Sequence, residues 1–410
     1  MKFSESFIKT SKTAPKDETA RSAGYLIRAG YIYKEMAGVY TYLPLGLAVI
    51  DKIEQIVREE MNALGAAELL MTGLQNPRSW EATGRFSDEV MDIWFKTELN
   101  AGGELGLAPT HEEPITNMLS GMINSYKDLP VYLYQFQTKF RNELRAKSGI
   151  LRTREFIMKD LYSFSVSREE HEKFYARVEE AYKKVFQRVG LGNDTIETFA
   201  SGGAFSKYSH EFQTLLPVGE DTIYYNEDRS ICLNSEVMTE EVMNDLGVSR
   251  DELKSAQAAE VGNIFTLGYK FSEPLGLYYN DADGSRKPVF MGSYGIGVSR
   301  LMGVIAEKFA DGKGLCWPEE VAPAQYYLIA IGEKGIAKAR EIYEQAPEKF
   351  LFDDRENARP GEKFADSELI GLPYRVVISD KTLEEGKFEV VTRRDGEKKL
   401  LTEAEFLGNI

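Results

Sequence analysis

The segment FRNELRAKSGILRTREF, residues 140–156, gathers Arg141, Glu143, Arg145, Lys147, Arg152, Arg154 and Glu155 around one turn, in a chain whose formal net charge is -15. Guanidinium groups bind phosphate through paired planar donors, and a phenylalanine face can stack on a nucleobase. Arg141, Arg152 and Phe156 therefore suit a nucleoside triphosphate. On spacing alone, a solvated β-ribbon with arginines paired to Glu143, Glu155 and Asp160 fits equally well. A second set lies in LAPTHEEPIT, residues 107–116, where Thr110 offers a hydroxyl and Glu112 a carboxylate to an amino acid's ammonium. The same residues also read as a helix start, with Thr110 as N-cap and Glu113 at the third helical position. A third set, MGSYGIGVSRLMGVIAE at 291–307, has glycines at 292, 295 and 297 that allow close backbone approach, followed by Arg300.

Strands and helices must carry these groups. LPVYLYQFQTKFRNE reads as a strand alternating through Tyr132, Tyr134, Phe136 and Phe140. Successive strand residues face opposite ways, so Arg141 and Glu143 share one face. Arg152, Arg154 and Phe156 share one on the returning strand, with ELRAKSGI as the loop. Helical spacing is expected over 21–37, over 47–64 with Val49, Ile53, Ile56, Val57 and Met61 on one face, and over 168–189. AAELLM at 66–71 reads as a strand. Beyond Pro318 and Pro323, strand-like and helical runs alternate, which implies a separate small α/β domain over 322–410. The expected fold class is an α+β domain with an antiparallel sheet over 1–321, plus that smaller domain.

With 410 residues, 43% of them hydrophobic, the chain can bury a large core. Its acidity argues against a surface that binds nucleic acid throughout, and confines any polyanion site to a local patch. Cys232 and Cys316 lie far apart, and with three histidines there is no cluster spaced for structural zinc. The first residues carry no apolar stretch of signal type, and no later run approaches a membrane span. A cytoplasmic protein without membrane association is expected.

The pattern F-R-x-E, loop, R-x-x-x-F (Phe140, Arg141, Glu143, Arg152, Phe156) resembles motif 2 of the class II aminoacyl-tRNA synthetases. Residues 291–307 resemble their motif 3, and the helix at 47–64 belongs to a stretch resembling motif 1, about 38–75. LAPTHEEPIT resembles the proline-recognition segment of prolyl-tRNA synthetases. TREFIMKDLYSF, EVGNIFTLGYKFS and the C-terminal LFDDRENARPGEKFADSELIGLPYRVVISDKTLEEGKFEVVTRR are similar to the bacterial form of that family, the last to its anticodon-binding domain. The resemblance implies a proline-tRNA ligase that uses ATP and Mg2+, charges tRNA(Pro) with L-proline and works as a homodimer. It implies that Arg141 holds the α-phosphate and Arg152 the γ-phosphate. Phe156 would stack under adenine, and Arg300 would cover adenine's other face and reach the γ-phosphate. Glu143 belongs to the same ATP site. Thr110 and Glu112 would hold proline's imino nitrogen, and His210 and Phe205 would line its pocket beside Arg141. Glu143 and Glu211 are the candidate Mg2+ carboxylates. In the C-terminal domain Arg393 and Arg394 are candidate phosphate contacts.

Three departures accompany the resemblance. Thr72 and Gly73 stand where motif 1 usually has a proline, which bears on the dimer contact. GGAFSKYSHEF is a few residues longer than the common form. The large inserted domain that hydrolyses alanyl-tRNA in many bacterial relatives has no room, because about 226–286 reads as a small helical and hairpin remnant between motif 2 (about 131–165) and motif 3. Two rival readings remain: a synthetase-like accessory subunit without catalysis, and a ligase that loads amino acids onto a carrier protein. The retained arginines and proline segment speak against the first, and the anticodon-type domain against the second.

Overall fold

The computed structural model describes all residues except 15–17, 19, 147, 202–207 and 409. Two compact units result. One comprises Ala37–Val39 and Glu54–Val304; the other comprises Met1–Met36, Tyr40–Ile53 and Ile305–Ile410.

In the first unit, nine strands among the described residues form one sheet. Their order is Tyr208–Leu215, Thr195–Ser201, Cys232–Asn234, Asp221–Tyr225, Lys254–Gly268, Phe290–Gly297, Glu155–Ser165, Val131–Phe140 and Ala67–Glu68, with Tyr208–Leu215 also pairing to Lys254–Gly268. Pairing is antiparallel except at Cys232–Asn234 and at the short edge strand Ala67–Glu68. Register lines up one row across five strands: Gln135 opposes Asp160, Asp160 opposes Gly295, Gly295 opposes Asn263, and Asn263 opposes Glu211. These five residues therefore share a face.

The opposite face is covered by the helix Arg168–Arg188, capped by Ser167 and burying Phe174, Val178, Ala181, Tyr182, Val185 and Phe186. Tyr132 stacks on Phe174 at 3.6 Å, and Phe212 packs against Tyr182 and Phe186. On the first face, Tyr162, Phe164, Phe265 and Met291 form a core with Ile115 and Leu119 of the helix Glu112–Leu119. That helix covers only part of the face and leaves the rest as a cleft floor.

The second unit contains a five-stranded sheet in the order Phe350–Asp353, Tyr326–Ile331, Tyr374–Ser379, Lys387–Thr392 and Lys398–Thr402. The first three strands are parallel and the last two antiparallel. Glu333–Gln345 and Pro360–Ile370 are its longer helices, and Leu328, Phe350, Val376, Phe388 and Phe406 anchor its core.

Several expectations are corrected. Helix occupies only Arg21–Arg28 of the 21–37 stretch, and Ile32–Met36 is a strand. Only Ala67 and Glu68 of AAELLM pair. The 226–286 stretch is mostly not a remnant: Cys232–Asn234 and the fifteen-residue Lys254–Gly268 belong to the main sheet. Only 235–253 leaves it, through the helix Glu240–Leu246 capped by Thr239, while the hairpin Tyr278–Asn280 with Arg286–Pro288 stands as expected. Lys254–Gly268 lacks a clean hydrophobic alternation because its burial is irregular and its register shifts against both Tyr208–Leu215 and Phe290–Gly297.

Burial has a measurable cost under the helix Arg168–Arg188. His171 is buried there, its Nε2 within 2.9 Å of Thr266 Oγ1, and burial pushes its pKa down to about 4. In the unfolded chain the ring titrates near 6.5, so between pH 6.5 and 4 the unfolded state binds the extra proton and stability falls as pH falls. The loss reaches about 3 kcal/mol from this residue. A His171→Gln variant should therefore show a flatter decline of its urea unfolding midpoint between pH 6.5 and 4 than the unsubstituted chain; parallel declines would refute the assignment.

Candidate active site

One cleft is lined by Arg141, Glu143, Arg152, Phe156 and Arg300, together with Met158, Glu260, Asn263, Gly295 and Gly297. All five residues expected to hold a nucleotide thus meet in one place. Arg141 follows the strand Val131–Phe140; its Nε donates to Pro109 O at 3.3 Å and its guanidinium lies 5.2 Å from the Phe156 ring centre. Burial and the neighbouring Arg300 push the Arg141 pKa below its ordinary value, so its charge is best stabilised by a bound anion.

The other two arginines already face carboxylates. Arg152 donates to Glu143 Oε2 at 2.7 Å and to Glu220 Oε2 at 2.7 Å. Arg300 donates to Leu151 O at 2.9 Å, and to Glu260 through O at 3.0 Å and Oε2 at 3.1 Å. Arg152 is not on the returning strand, which begins at Glu155; it follows the short turn Gly149–Leu151. Arg154 leaves the site altogether, donating to Ala37 O and Glu143 O. The expected three-residue face on that strand therefore reduces to Phe156, with Arg152 delivered by the loop.

Beside the cleft, the Thr110 hydroxyl donates to Glu112 Oε2 at 2.7 Å and Ser293 Oγ donates to Oε1 at 3.1 Å. Thr110 does not cap the helix: His111 occupies the N-cap position and Glu112 begins the helix. The capping-box expectation fails because the Thr110 hydroxyl is committed to Glu112. Below them, Lys139 is fully buried, 2.6 Å from His111 Nδ1 and 2.7 Å from Asp160. Asp160 also accepts from Gln135 at 2.9 Å and Tyr162 OH at 2.8 Å. Burial lowers the His111 pKa to about 4. Its neutral ring can then accept at Nδ1 from Lys139 and donate through Nε2 to Thr72 O, 2.9 Å away.

His210 does not join this group. Its neighbour Glu211 stands in the cleft-facing row, so His210 points to the other side of the sheet, where Nδ1 lies 2.7 Å from Tyr175 OH of the covering helix. It lines a separate cavity with Glu197, Phe199 and Cys232. Its placement there overturns the expected substrate contact. Phe205 lies outside the described residues. Glu211 is where burial, then the charges of Glu260 and Asp221, push a carboxyl up to about 8, because like charges crowd it. Ser293, Tyr162 and Lys139 were not singled out from sequence, and Asp160 was read only as a possible partner for the hairpin arginines. Strand parity could have found them, since each sits an even number of residues, or a paired row, away from Phe156 or Gly295.

In the C-terminal unit Arg393 is bound at 2.7 and 2.8 Å to Asp311, and Arg394 lies over the Phe309 ring. Arg393 is the largely buried member of that ion pair, its side chain only 7% exposed, which leaves it little reach toward a phosphate.

Residues 95–309 match the tRNA synthetase class II core domain (G, H, P, S and T), and residues 325–410 match an anticodon binding domain. The chain is 39% identical over 420 residues to the proline-tRNA ligase of Anaplasma phagocytophilum (strain HZ), covering 98% of each. The chain belongs to the proline-tRNA ligase family. The proline-tRNA ligase of Maricaulis maris (strain MCS10) is 38% identical over 426 residues, covering 97% of this chain and 95% of that one. The fold matches prolyl-tRNA synthetase from Cryptosporidium parvum complexed with L-proline and AMP, with a TM-score of 0.75 at 19% identity over 95% of this chain and 73% of that one. A second structure of the same enzyme, complexed with halofuginone and AMPPNP, gives a TM-score of 0.78 at 18% identity over 95% and 75%. As in a family of tRNA-charging enzymes, no helix among the described residues is long and apolar enough to cross a membrane.

The cleft floor depends on Gly295. A Cβ there would meet Met158 Cε at 2.4 Å and Asn263 Oδ1 at 2.8 Å. Both are ends of side chains that can move, so alanine would displace them into the cleft, at a cost of roughly 1–3 kcal/mol. Gly295→Ala should raise the KM for ATP about tenfold or more and leave the KM for proline nearly unchanged, as read by steady-state exchange kinetics.

Proposed function

We propose that this cleft condenses L-proline with ATP to prolyl-adenylate and pyrophosphate and then passes proline to the 3′ end of tRNA(Pro). The observation that carries this reading is the convergence of Arg141, Glu143, Arg152, Phe156 and Arg300 on one cleft beside Thr110 and Glu112. Arg141 stands between the two groups, close to Pro109 on one side and Phe156 on the other. It is placed to hold the α-phosphate while proline's carboxylate attacks the phosphorus in line. Phe156 supports adenine from below, and Arg152 and Arg300 exchange their carboxylate partners for the γ-phosphate. Glu112 and Thr110 take the two donors of the imino nitrogen. The chemistry needs no protein nucleophile, so orientation and charge stabilisation supply the rate.

Among the described residues no three acidic, histidine or cysteine side chains are grouped to hold a metal ion by themselves, so magnesium would reach the cleft's acidic side together with the nucleotide's phosphates. Glu211, Glu260 and Asp221 crowd one another, and a hard divalent cation relieves such repulsion through oxygen ligands. When bound it would offset the negative charge of the phosphates. Glu143 is already engaged with Arg152, which makes it a weaker ligand than Glu211. A homodimer suits the exposed Leu70 and Leu74 around Thr72 and Gly73, where motif 1 resembles the family's dimer contact. The excursions within 226–286, residues 235–253 and the hairpin Tyr278–Asn280 with Arg286–Pro288, are too small to form a hydrolytic domain. A pocket sized for proline rejects a smaller side chain by only roughly 1 to 3 kcal/mol per lost methylene contact, so alanine is activated and alanyl-tRNA is not cleared by this chain.

Pyrophosphate exchange across the twenty amino acids tests this. Proline should support strong exchange and alanine a weaker signal, with Arg141→Ala lowering proline exchange by about 100-fold or more. Folded protein that binds tRNA yet shows no exchange with any amino acid would return the accessory-subunit reading, and robust hydrolysis of alanyl-tRNA would refute the absence of editing.

A further inference from the structure

Glu112 and Glu113 are adjacent carboxylates, both buried, at the first turn of one short helix. Glu112 points to Thr110 and Ser293. Glu113 points the other way, and what meets it comes from a different part of the chain. Arg85 Nη1 donates to both Glu113 oxygens, at 2.9 and 3.1 Å, and stands 3.6 Å from Glu112 Oε2. Thr83 Oγ1 adds a bond to Glu113 at 2.8 Å.

Arg85 is itself tightly placed. Only 2% exposed, it lies with its guanidinium 5.2 Å from the Trp80 ring and 5.1 Å from the Phe271 ring. Its carbonyl accepts from Trp94 Nε1 at 2.9 Å, and Trp94 packs edge-on against Trp80 at 4.7 Å. Phe86 and Met91 complete that small cluster. Two aromatic faces, one backbone clamp and a chelating carboxylate leave the guanidinium a single orientation, with one edge toward Glu112. Burial pushes the Glu113 carboxyl up to about 7, with Arg85 opposing the rise, which fits a carboxylate whose main compensation is this guanidinium.

We propose that Arg85 is a positioning residue for amino-acid recognition: anchored on Glu113, it fixes the Glu112 carboxylate in the orientation that receives proline's imino nitrogen. This rests on the reading that Glu112 is that receiver. Thr110 and Ser293 hydrogen-bond Glu112, and the Arg85 Nη1 that holds Glu113 adds an electrostatic contact 3.6 Å from the Glu112 Oε2 that Thr110 bonds. Arg85 does not line the nucleotide cleft, so its influence falls on proline and not on ATP.

Proline-dependent exchange by the full chain tests the proposal with Arg85→Lys, Arg85→Met and the double variant Arg85→Met with Glu113→Gln. Arg85→Met should raise the KM for proline about 30-fold while the KM for ATP stays within about twofold, and Arg85→Lys should fall between it and the unsubstituted enzyme. The single change leaves Glu113 buried without its cation and lowers the melting temperature; the double variant removes that charge and regains much of it. The KM for proline should stay high in the double variant. Recovery of that KM along with stability would mean that Arg85 is merely structural, and equal rises in both KM values would also overturn the proposal. An unsubstituted chain with no proline-dependent exchange would overturn the underlying site reading as well, whereas exchange without the split overturns the role of Arg85 alone.

Discussion

A pleated sheet has two faces, and a step of one residue moves a side chain from one to the other. The catalytic unit rests on that constraint. The row Gln135, Asp160, Gly295, Asn263 and Glu211 commits five strands to one parity, and every group assigned to the cleft floor follows from it. The other parity is paved by the helix Arg168–Arg188 with aromatic rings, hydroxyls and two histidines, His171 and His210. A single slipped pairing would exchange a polar floor for an aromatic one. Long antiparallel partners such as the ten-residue Val131–Phe140 and the eleven-residue Glu155–Ser165 make such a slip costly.

On this floor, charge is arranged as matched opposites. Lys139 meets Asp160, Arg85 meets Glu113, Arg152 meets Glu143, and Arg300 meets Glu260. The first two pairs are buried and shape the amino-acid side. The second two are partly open to solvent, where ion pairs contribute little to stability and can be exchanged. Burial thus divides the charges into those that hold the frame and those free to change partner.

Much of the architecture was legible from sequence because it depends on local periodicity. The motif 2 strands, the helices Pro44–Ala63 and Arg168–Arg188, and the alternation of the C-terminal domain all announce themselves by residue spacing. Arg141, Phe156 and Arg300 could be placed because they sit at or beside regular elements. Arg152 and Arg154 could not, since their directions are set by the loop before Glu155 and not by strand alternation. Thr110 looked like a cap, yet a buried carboxylate two residues on competes for the same hydroxyl. His210 was misplaced because a motif records which residue is present and not which face it takes. Lys254–Gly268 escaped notice for a related reason: buried pairs such as Ala258–Ala259 and Val261–Gly262, with polar Glu260 and Asn263 turned to the cleft, break the two-residue rhythm that would reveal it. Arg85 left no signal at all, since its partners lie 27 and 28 positions away and only folding brings them together.

The pairing of Arg152 with Glu143 and Glu220 bears on which anions the cleft admits. A bare cluster of guanidiniums would repel itself and attract any polyanion in the cell. With Glu143 and Glu220 seated on Arg152 and Glu260 on Arg300, a visiting anion must outcompete resident oxygens at those two arginines. Inorganic phosphate, with little else to offer, is a poor competitor, whereas a nucleotide brings an adenine ring to Phe156 in the same encounter. Under the proposed reading the resident acids would act as a threshold that favours the whole nucleotide over its fragments.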